Sequence, residues 1–496
     1  MRRTTGGSMA RPAPVSFPCA IACFAVAFCA ALPAARAQQW ENAYGEPVRM
    51  ETVQGLVEVR RCGGGGALAV GKSQVPPNPP LFDTDHYLLR VDAQGDVVWS
   101  MRMGTPGVID SARAVVELAD GTGFAVIGSR GPTAVAGPQE EVLLSRIDCN
   151  GALLWQKVLG PTVNSNDAYH LIEATSGTPA NGTRAGDLIV AVTHDNGLYR
   201  SARLIRTDHG GSPVWIREYR SDPALSALSV TELPPVPPSS TGDLVAVGYR
   251  DQQAAVLRVN GDYGYGVCTR QLPGVGYASF RSVTALRSGN FGSGYVALGE
   301  TRISPSALPR LYAVRFGTGC QATAQTVFGA TTDSHLPGAV AETLGPTLAG
   351  APAGLALVAA TTWNGAASNP DRDAVVHALD PTTLAPYLVA GRRYGSQGAG
   401  REHAFAVAVG SGGIYLGGNT NSAWTAAGPQ PQAYLVRGDW VDLDTRCSID
   451  WAPPFVSLSG GDSAFGTLQV AQSGVLKPPP MPVQELGGAH APCCGP

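Results

Sequence analysis

Six side chains of this sequence could together do acid–base or metal chemistry, because they stand where apolar segments begin. They are Asp110, Asp167, Asp333, His335, Glu402 and His403. Carboxylates and imidazoles transfer protons and hold metal ions. If their segments converge, these residues predict either a hydrolase or lyase that acts on polysaccharides or a metal-dependent oxidoreductase. The sequence predicts no cofactor, although a metal ion such as calcium could bind at that place.

The same residues also have a simpler interpretation. Aspartate side chains commonly form hydrogen bonds with the backbone of turns. Asp110, Asp167 and Asp333 would then cap turns and bond to the backbone of the next structural unit. The sequence favours this structural role for each residue taken singly. The place where their segments meet stays open as a ligand site, because a concave surface there could hold a ligand.

A phosphate-binding pattern, Gly-x-x-x-x-Gly-Lys-Ser, is present at residues 66–73. Its chemistry requires a loop that opens a helix, so that backbone N–H groups surround the phosphates. Residues 67–71 align instead with apolar strands elsewhere in the chain, and the proline-rich residues 74–80 follow. We therefore predict a strand here and no nucleotide site.

Charge and composition limit the classes of partner. The chain of 496 residues has 35 basic and 38 acidic side chains and a net charge of −3. This balance argues against a nucleic-acid surface and against a polybasic membrane patch. Charged residues make up only 15%, and there are 62 glycines and 39 prolines. Such a composition favours sheets joined by turns.

The N-terminus predicts export. Residues 17–32 are apolar, and Ala35-Arg36-Ala37 is a small-x-small cleavage site, so a signal peptide would be removed after Ala37. The mature protein would then be secreted or periplasmic. No later segment has the roughly 20 apolar residues of a membrane helix, so we predict no transmembrane segment. Seven cysteines remain after cleavage, and the oxidising compartment favours some disulfides whose pairing the sequence leaves open: Cys62, Cys149, Cys268, Cys320, Cys447, Cys493 and Cys494.

An internal repeat is the strongest signal in the chain. Trp40, Trp99, Trp155 and Trp215 recur at intervals of 56 to 60 residues, and each begins a short strand. Three further strands lie between successive marks, which gives seven units of four strands. The second strand of each unit is an apolar run that often ends in glycine, and these runs are residues 67–71, 124–128, 188–192, 244–248, 295–299, 355–359 and 414–418.

Four-stranded sheets with two apolar faces must be covered on both sides, and radial stacking achieves this. We therefore predict an all-β, seven-bladed β-propeller of four-stranded antiparallel blades over residues 38–455, with eight blades as the alternative. Either Trp40–Gly45 or Ser448–Trp451 would supply the strand that closes the ring. Residues 456–474 predict an extra hairpin, and the proline-rich residues 475–496 predict a disordered tail.

The turns between third and fourth strands carry a resemblance. Residues 92–99, 148–155 and 208–215 share the pattern Asp-x-x-Gly-x-x-x-Trp. Because Asp92, Asp148 and Asp208 repeat in the same turn, the sequence favours a structural role for them, in hydrogen bonds to the turn backbone. This pattern resembles the tryptophan-docking turn of quinoprotein-like (PQQ-like) and WD40-like propellers of exported bacterial proteins. The resemblance implies the propeller architecture. It does not imply a quinone site, because the vicinal Cys493-Cys494 pair lies in the C-terminal tail and not within the repeats.

Two functions are consistent with these features. The first is a binding or scaffold module for a protein, a glycan or a surface polymer, with the long loops between second and third strands as contact surfaces. Trp363 and Trp424 lie at or in these loops. The second is an enzyme whose site lies at the mouth of the central channel and uses the six acidic and imidazole residues. No strong catalytic motif is present, and we favour the binding module.

Overall fold

A computed structural model describes most of the repeat region. The described residues are 39–46, 49–74, 84–105, 107–131, 140–159, 165–272, 276–287, 293–304, 306–329, 333–343, 356–364, 372–386, 392–395, 401–410, 413–421, 430–438, 449–450, 455–457, 469–471, 476–477, 483–486 and 490–492. The predicted long loops between second and third strands lie largely outside these residues, as does Trp424. Trp363 lies in a second strand and not in the loop that follows it.

The described residues form seven four-stranded antiparallel sheets, numbered here in chain order. In sheets 1 to 6, four strands follow one another along the chain with neighbouring strands paired, and in sheet 7 three consecutive strands are joined by the N-terminal strand. A single parallel pair, Thr84 with Ile109, joins sheets 1 and 2. The four-stranded antiparallel organisation predicted from the sequence is confirmed.

The first strands carry the bulges described below. They are β2 (Met50–Glu58), β6 (Ile109–Glu117), β10 (Ser165–Glu173), β14 (Leu225–Glu232), β18 (Tyr277–Leu286), β22 (Asp333–Glu342) and β26 (Glu402–Gly410). The second strands lie between the first and third strands of their sheets. They are β3 (Ala67–Gln74), β7 (Phe124–Gly131), β11 (Leu188–Asp195), β15 (Leu244–Arg250), β19 (Gly294–Arg302), β23 (Ala356–Asn364) and β27 (Gly413–Thr420).

The third strands are β4 (Thr84–Val91), β8 (Glu141–Ile147), β12 (Arg200–Thr207), β16 (Gln253–Val259), β20 (Arg310–Phe316), β24 (Arg372–Leu379) and β28 (Gln432–Gly438). The fourth strands are β5 (Val97–Met103), β9 (Leu153–Leu159), β13 (Pro213–Arg220), β17 (Gly266–Leu272), β21 (Ala322–Phe328), β25 (Arg392–Tyr394) and, from the N-terminus, β1 (Trp40–Tyr44). One short 3₁₀ helix, Pro179–Asn181, lies within the described residues of sheet 3.

The N-terminal strand completes the last sheet. All five residues of β1 pair antiparallel with β28, from Trp40 opposite Arg437 to Tyr44 opposite Ala433. The competing segment, β29 (Ile449–Asp450), pairs with the fourth strand of sheet 6. The structure thus decides between the two strands that the sequence left open, and both ends of the repeat region meet in sheet 7.

The apolar core is divided among the spaces between neighbouring sheets. In β3, Ala67 and Ala69 pack into a cluster shared with sheet 7, whereas Leu68 and Val70 pack into a cluster shared with sheet 2. Successive side chains of a strand point to opposite faces, so a wholly apolar second strand serves two interfaces. Seven such clusters, formed by described residues, cover every pair of consecutive sheets and the pair formed by sheets 7 and 1.

The first strands contact one another in the same cyclic order. Each packs against the first strands of the sheets before and after it, and the first strand of sheet 7 packs against that of sheet 1. Glutamates near the ends of first strands tie consecutive sheets together. The carboxylate of Glu117 accepts hydrogen bonds from the backbone N–H groups of Arg60, Arg61 and Cys62 at 2.8–2.9 Å. Buried carboxylates that accept several N–H groups are well satisfied.

Tryptophans of the fourth strands contact the next sheet. The Trp40 Nε1–H donates to the carbonyl oxygen of Ala93 at 3.1 Å, and the Trp99 Nε1–H donates to that of Cys149 at 3.2 Å. Both acceptors lie in turns between third and fourth strands. In sheet 4, Cys268 occupies the position of the tryptophan and forms a disulfide with Cys320 in the corresponding turn of sheet 5. The disulfide therefore makes the connection that tryptophan makes elsewhere.

A second disulfide, between Cys62 and Cys149, joins sheets 1 and 2. The turn aspartates have the structural role that the sequence favoured. The Asp92 carboxylate accepts hydrogen bonds from the backbone N–H groups of Gln94 and Asp96 at 2.8 and 2.9 Å. Their position in a repeated turn is thus explained by hydrogen bonding within the turn.

An arginine two residues before the turn aspartate, or before Asn260 in sheet 4, fixes the turn between the first two strands. In sheet 1, the Arg90 Nη2–H donates to the carbonyl oxygen of Gly63 at 2.9 Å. In sheet 3, Arg206 makes the corresponding contacts and has no solvent exposure. In sheet 4, Arg258 forms an ion pair with Asp243 at 2.7 Å. These guanidinium groups satisfy carbonyl and carboxylate oxygens that the sheets bury.

The C-terminal segment differs from the sequence prediction. Residues 455–457 and 469–471, predicted within one hairpin, form strands β30 and β31, which pair with sheets 5 and 3. The predicted disordered tail contributes β32 (Leu476–Lys477), β33 (Val483–Leu486) and β34 (His490–Pro492), which pair with sheets 2, 1 and 7. The edge of a fourth strand leaves unpaired N–H and C=O groups, and an extended segment satisfies them.

Candidate functional site

Every first strand has a β-bulge at its middle. Pairing with the second strand shifts there in all seven sheets. A bulge leaves a residue outside the ladder and redirects its side chain. The bulged residues are Gln54, Arg113, Tyr169, Leu228, Arg281, Gly338 with Ala339, and Phe405.

These bulges surround one cavity of about 360 Å³, which we call the axial cavity. Its described lining residues come from all seven first strands, with Glu300 from a second strand. They are Gln54, Arg113, Tyr169, Leu228, Arg281, Glu300, Leu336, Pro337, Gly338 and Phe405. A site assembled from residues so far apart in sequence requires the seven first strands to meet. A cavity that combines apolar walls with a few polar groups is typical of a ligand site.

Glycines of the second strands allow the bulges to form. Phe280 lies opposite Gly299, and the register then shifts at Arg281. A Cβ atom on Gly299 would lie 1.8 Å from the carbonyl oxygen of Ser279. Glycine is therefore required for this close approach of two backbones. Glycines in four other second strands have the same relation to a first-strand carbonyl oxygen, and they are Gly71, Gly128, Gly248 and Gly418.

Replacing Gly299 with alanine will lower the free energy of unfolding by about 1–3 kcal/mol, because the bulge must shift to admit the methyl group. The midpoint of urea unfolding measures this change. Gly266→Ala is the matched control, since a Cβ atom there would meet nothing within 4 Å. Equal midpoints for the two variants would show that the second-strand glycine does not hold the bulge.

Arg113 is the most constrained cation of the axial cavity. Its Nη1–H donates to Oε1 of Gln54 at 2.9 Å, and its guanidinium lies over the ring of Tyr169, 5.6 Å from the centroid. Its Nη2 lies 3.6 Å from a carboxylate oxygen of Asp167. These contacts link sheets 1, 2 and 3 and fix the guanidinium at the cavity wall.

Ionisable groups of both signs lie near Arg113. Burial, and then the charge of Arg113, lower the pKa of Lys72. Burial, and then the charge of Asp167, raise the pKa of Glu140. Burial raises the pKa of Tyr169, so its hydroxyl stays protonated near neutral pH and can donate a hydrogen bond. Lys72 and Glu140 thus lie near Arg113, whereas Gln54 and Tyr169 line the cavity beside it.

Five of the six residues singled out by the sequence separate into two groups, and Asp333 is described after them. Asp110, His335 and Glu402 lie three residues before a bulge, within the first strands and not in the loops that enter them, and all three are buried. An oxygen of Asp110 accepts the backbone N–H of Thr105 at 2.8 Å, as a turn cap does. The Glu402 carboxylate accepts the hydroxyl of Thr420 at 2.9 Å. The structure therefore gives these carboxylates structural partners.

Asp167 and His403 lie two residues before a bulge, on the strand face of the bulged residue. Asp167 contacts the cavity through Arg113 and also accepts the hydroxyl of Ser129 at 3.0 Å. The ring of His403 stacks on that of Phe405 with centroids 5.6 Å apart. Burial lowers the pKa of His403 to about 4, so it is neutral at physiological pH. For Asp333 the structure describes only the backbone, at the start of β22.

None of the six is among the described residues that line the axial cavity. Within the described part of the chain, no group of three or more His, Cys, Asp or Glu side chains could hold a metal ion. Residues 66–73, which match the phosphate-binding pattern, lie mostly in strand β3, as the sequence predicted. Its apolar residues are buried between sheets 7 and 2, so no loop is present to surround a phosphate.

Glu51 has the position of Asp110 and Glu402 in sheet 1 and is nearly fully buried. Burial raises its pKa to about 7, and the charge of Glu46 adds to this effect although the hydroxyl of Ser73 opposes it. A raised pKa favours the protonated carboxyl in the folded state. Its contribution to stability is therefore complete below about pH 4.5 and is lost as the pH rises through about 7.

Replacing Glu51 with glutamine will remove this part of the pH dependence. We expect the wild-type unfolding midpoint to fall between about pH 4.5 and 7 by more than that of Glu51→Gln. Thermal unfolding across this range measures the difference. Asp251→Asn, in an exposed turn, is the control and should keep the wild-type slope. A wild-type slope in Glu51→Gln would contradict the assignment.

The sequence reasoning missed the residues that line the cavity. Gln54, Arg113 and Arg281 look like ordinary outward-facing polar residues in half-buried strands. The available signal was the glycine that ends several second strands, because an interior glycine often marks a bulge or a close backbone approach. Combined with the repeat, that glycine locates the first-strand residue just before the bulge in the five units that have it.

Among the described residues, no helix has the length and apolar character needed to cross a membrane.

Comparisons with known proteins identify no family for this chain. A scan against protein-family models and a search of curated proteins both found no match to this chain. The function is therefore inferred from the residues of the chain itself.

Proposed function

We propose that the protein is an exported seven-bladed β-propeller that binds its ligand in the axial cavity. The seven sheets are the blades, their first strands are innermost, and β1 closes the ring in the blade formed by β26, β27 and β28. The cyclic contacts of the first strands and the apolar clusters between consecutive sheets, including sheets 7 and 1, support this arrangement. Radial stacking covers both faces of every sheet.

Export and the relation to other propellers are part of the same proposal. The tryptophan-docking turns support a relation to PQQ-like and WD40-like propellers of exported bacterial proteins. The two disulfides support an oxidising compartment, in which the mature chain would begin at Gln38. N-terminal sequencing of the protein from secreted and periplasmic fractions tests this, and a chain that keeps residues 1–37 would contradict it.

The observation that carries the binding function is the convergence of one bulge from each first strand on one cavity. Bulges are local distortions of a strand. Because one occurs at the same place in each of the seven repeats, we infer that the bulges form the wall of this cavity. The ligand would be a carbohydrate or part of a protein. The buried carboxylates of Asp110 and Glu402 have structural partners, which favours binding over catalysis.

A glycan array probed with the mature protein tests the proposal, together with the variant Phe405→Ala. The Phe405 ring is partly exposed at the cavity wall, and its loss should weaken binding about 10-fold or more. Leu154→Ala is the control, since Leu154 is exposed on a fourth strand away from the cavity. Equal binding by Phe405→Ala and wild type would place the ligand elsewhere.

A further inference from the structure

A second cavity adjoins the axial cavity and shares two of its residues. It has a volume of about 320 Å³ and lies between sheets 4 and 5. The shared residues are Arg281 and Glu300, and the other lining residues are Tyr249, Gln252, Tyr277, Ala278, Ser279 and Arg302. We call it the side groove. A ligand that fills both spaces must be elongated and must pass beside Arg281.

Arg281 lines both cavities, and its charge has no partner among the described residues. Glu300 is paired with Arg302, with Nη2 and Oε1 3.4 Å apart. Among the described residues, no hydrogen bond or ion pair involves the exposed side chain of Arg281. Its backbone position is set by the bulge, which follows directly after Phe280 opposite Gly299. An exposed guanidinium without a partner is suited to a bidentate contact with a carboxylate.

The rest of the groove wall suits the hydroxyl groups and ring faces of sugars. Gln252 and Ser279 offer amide and hydroxyl groups that donate and accept hydrogen bonds. Tyr249 and Tyr277 add phenol rings, which combine an apolar face with a polar edge. The hydroxyl of Tyr249 accepts a hydrogen bond from Nη1 of Arg200 at 2.8 Å, which fixes the orientation of that ring.

An extended peptide fits this surface less well. A peptide that binds by strand addition needs a continuous row of backbone groups along a strand edge. The bulge at the middle of each first strand interrupts that row. Recognition must therefore come from side chains. The net charge of −3 also opposes a long polyanion such as a nucleic acid, which requires a broad basic surface.

We propose that the ligand is an acidic oligosaccharide and that Arg281 binds the carboxylate of one of its uronic acid residues. The sugar chain lies from the axial cavity into the side groove. The inference rests on the proposed binding function and adds the chemical class of the ligand. Neutral sugars would fill the same space but would lack the group that Arg281 pairs with.

Calorimetric titration with short oligogalacturonate and oligomannuronate chains tests the proposal, with methyl-esterified oligogalacturonate as the neutral probe. The wild-type protein should bind at least one acid form about 10-fold or more tightly than the neutral probe, because a hydrogen-bonded charge is lost in the ester. Arg281→Gln should weaken binding of the acid form to the level of the neutral probe. Arg281→Lys should keep part of the affinity, since lysine retains the positive charge but lacks the planar guanidinium that makes two parallel hydrogen bonds to a carboxylate.

Arg61→Gln, an exposed arginine in the turn between β2 and β3, is the matched control and should bind as the wild type does. Higher ionic strength should weaken binding by the wild type more than binding by Arg281→Gln. Equal affinities for acid and ester, or no binding of either uronate, would overturn the assignment of the ligand class. The proposed function would fail separately, if Phe405→Ala left all glycan binding unchanged.

Discussion

Replacing Arg206 with alanine will lower the free energy of unfolding by about 3–5 kcal/mol, because the change leaves buried oxygens without partners. The guanidinium is fully buried, and its Nε–H donates to the carboxylate of Asp187 at 2.7 Å. Its Nη1–H donates to the carbonyl oxygen of Gly261 at 2.9 Å, and its Nη2–H groups donate to those of Ser176 and Arg184. One side chain thus satisfies a carboxylate and three carbonyl groups.

The position of these acceptors explains the size of the effect. Asp187, Ser176 and Arg184 belong to the turn between the first two strands of sheet 3, whereas Gly261 belongs to sheet 4. Without Arg206, the buried Asp187 carboxylate loses its cation. A buried charge that loses its partner costs more than the pair contributes. The turn and the interface between the two sheets should therefore weaken together.

Urea unfolding of the mature protein measures this effect. Arg281→Ala is the control, because it removes an exposed arginine that has no partner among the described residues and should change stability by no more than about 0.5 kcal/mol. Similar midpoints for Arg206→Ala and Arg281→Ala would contradict the role given to the buried arginine.

Removing the disulfide between Cys268 and Cys320 will lower the free energy of unfolding by about 4 kcal/mol. The two cysteines are 52 residues apart, and closing a loop of that length restricts the unfolded chain by about this amount. The bond joins the fourth strand of sheet 4 to a turn of sheet 5. It takes the place of the tryptophan contact that Trp40 and Trp99 make with the next sheet.

The double variant Cys268→Ala/Cys320→Ala tests this expectation by urea unfolding without reductant. Val267→Ala, next to Cys268 and about half exposed, is the control and should stay within about 0.5 kcal/mol of the wild type. We also expect a reductant to destabilise the double variant less than the wild type. An unchanged midpoint in the double variant would show that sheets 4 and 5 do not depend on the cross-link.

The sequence predicted the strands well because each repeat has the same order of apolar runs and turns. Residues 67–71 form a strand in the structure, and this strand extends three residues further, to Gln74. Such runs are apolar on both faces because each face packs against a neighbouring sheet. The apolar composition of a run is therefore enough to predict a strand that is covered on both faces. Asp92 and its equivalents were also assigned correctly, since a turn aspartate acts through local hydrogen bonds.

The residues that line the cavity were not predicted, because a bulge shifts the register by one residue without changing the residue types. Arg113 and Arg281 resemble surface arginines, and only the three-dimensional pairing shows that they face one cavity. The sequence placed Asp110 and Glu402 in loops that enter the first strands. In the structure both lie within those strands and are buried, because each strand begins earlier than its apolar residues indicate.

Two further signals were present in the repeats. An arginine stands two residues before the turn aspartate at Arg90, Arg146 and Arg206, and an exposed strand residue would not be expected to repeat in this way. Cys268 stands where the repeats have tryptophan, which suggests a partner in the next unit. Superposing the repeats residue by residue would have identified both the buried arginines and one half of the disulfide.

A crystal structure of residues 38–496 with a bound uronate oligosaccharide tests the proposed propeller and its ligand together. We predict seven sheets in a closed ring, with β1 paired to β28 and the bulged residues of all seven first strands around one cavity. We also predict sugar density in that cavity with a carboxylate at Arg281. An open arrangement of sheets, an eighth sheet, or a ligand bound away from the first-strand bulges would contradict it.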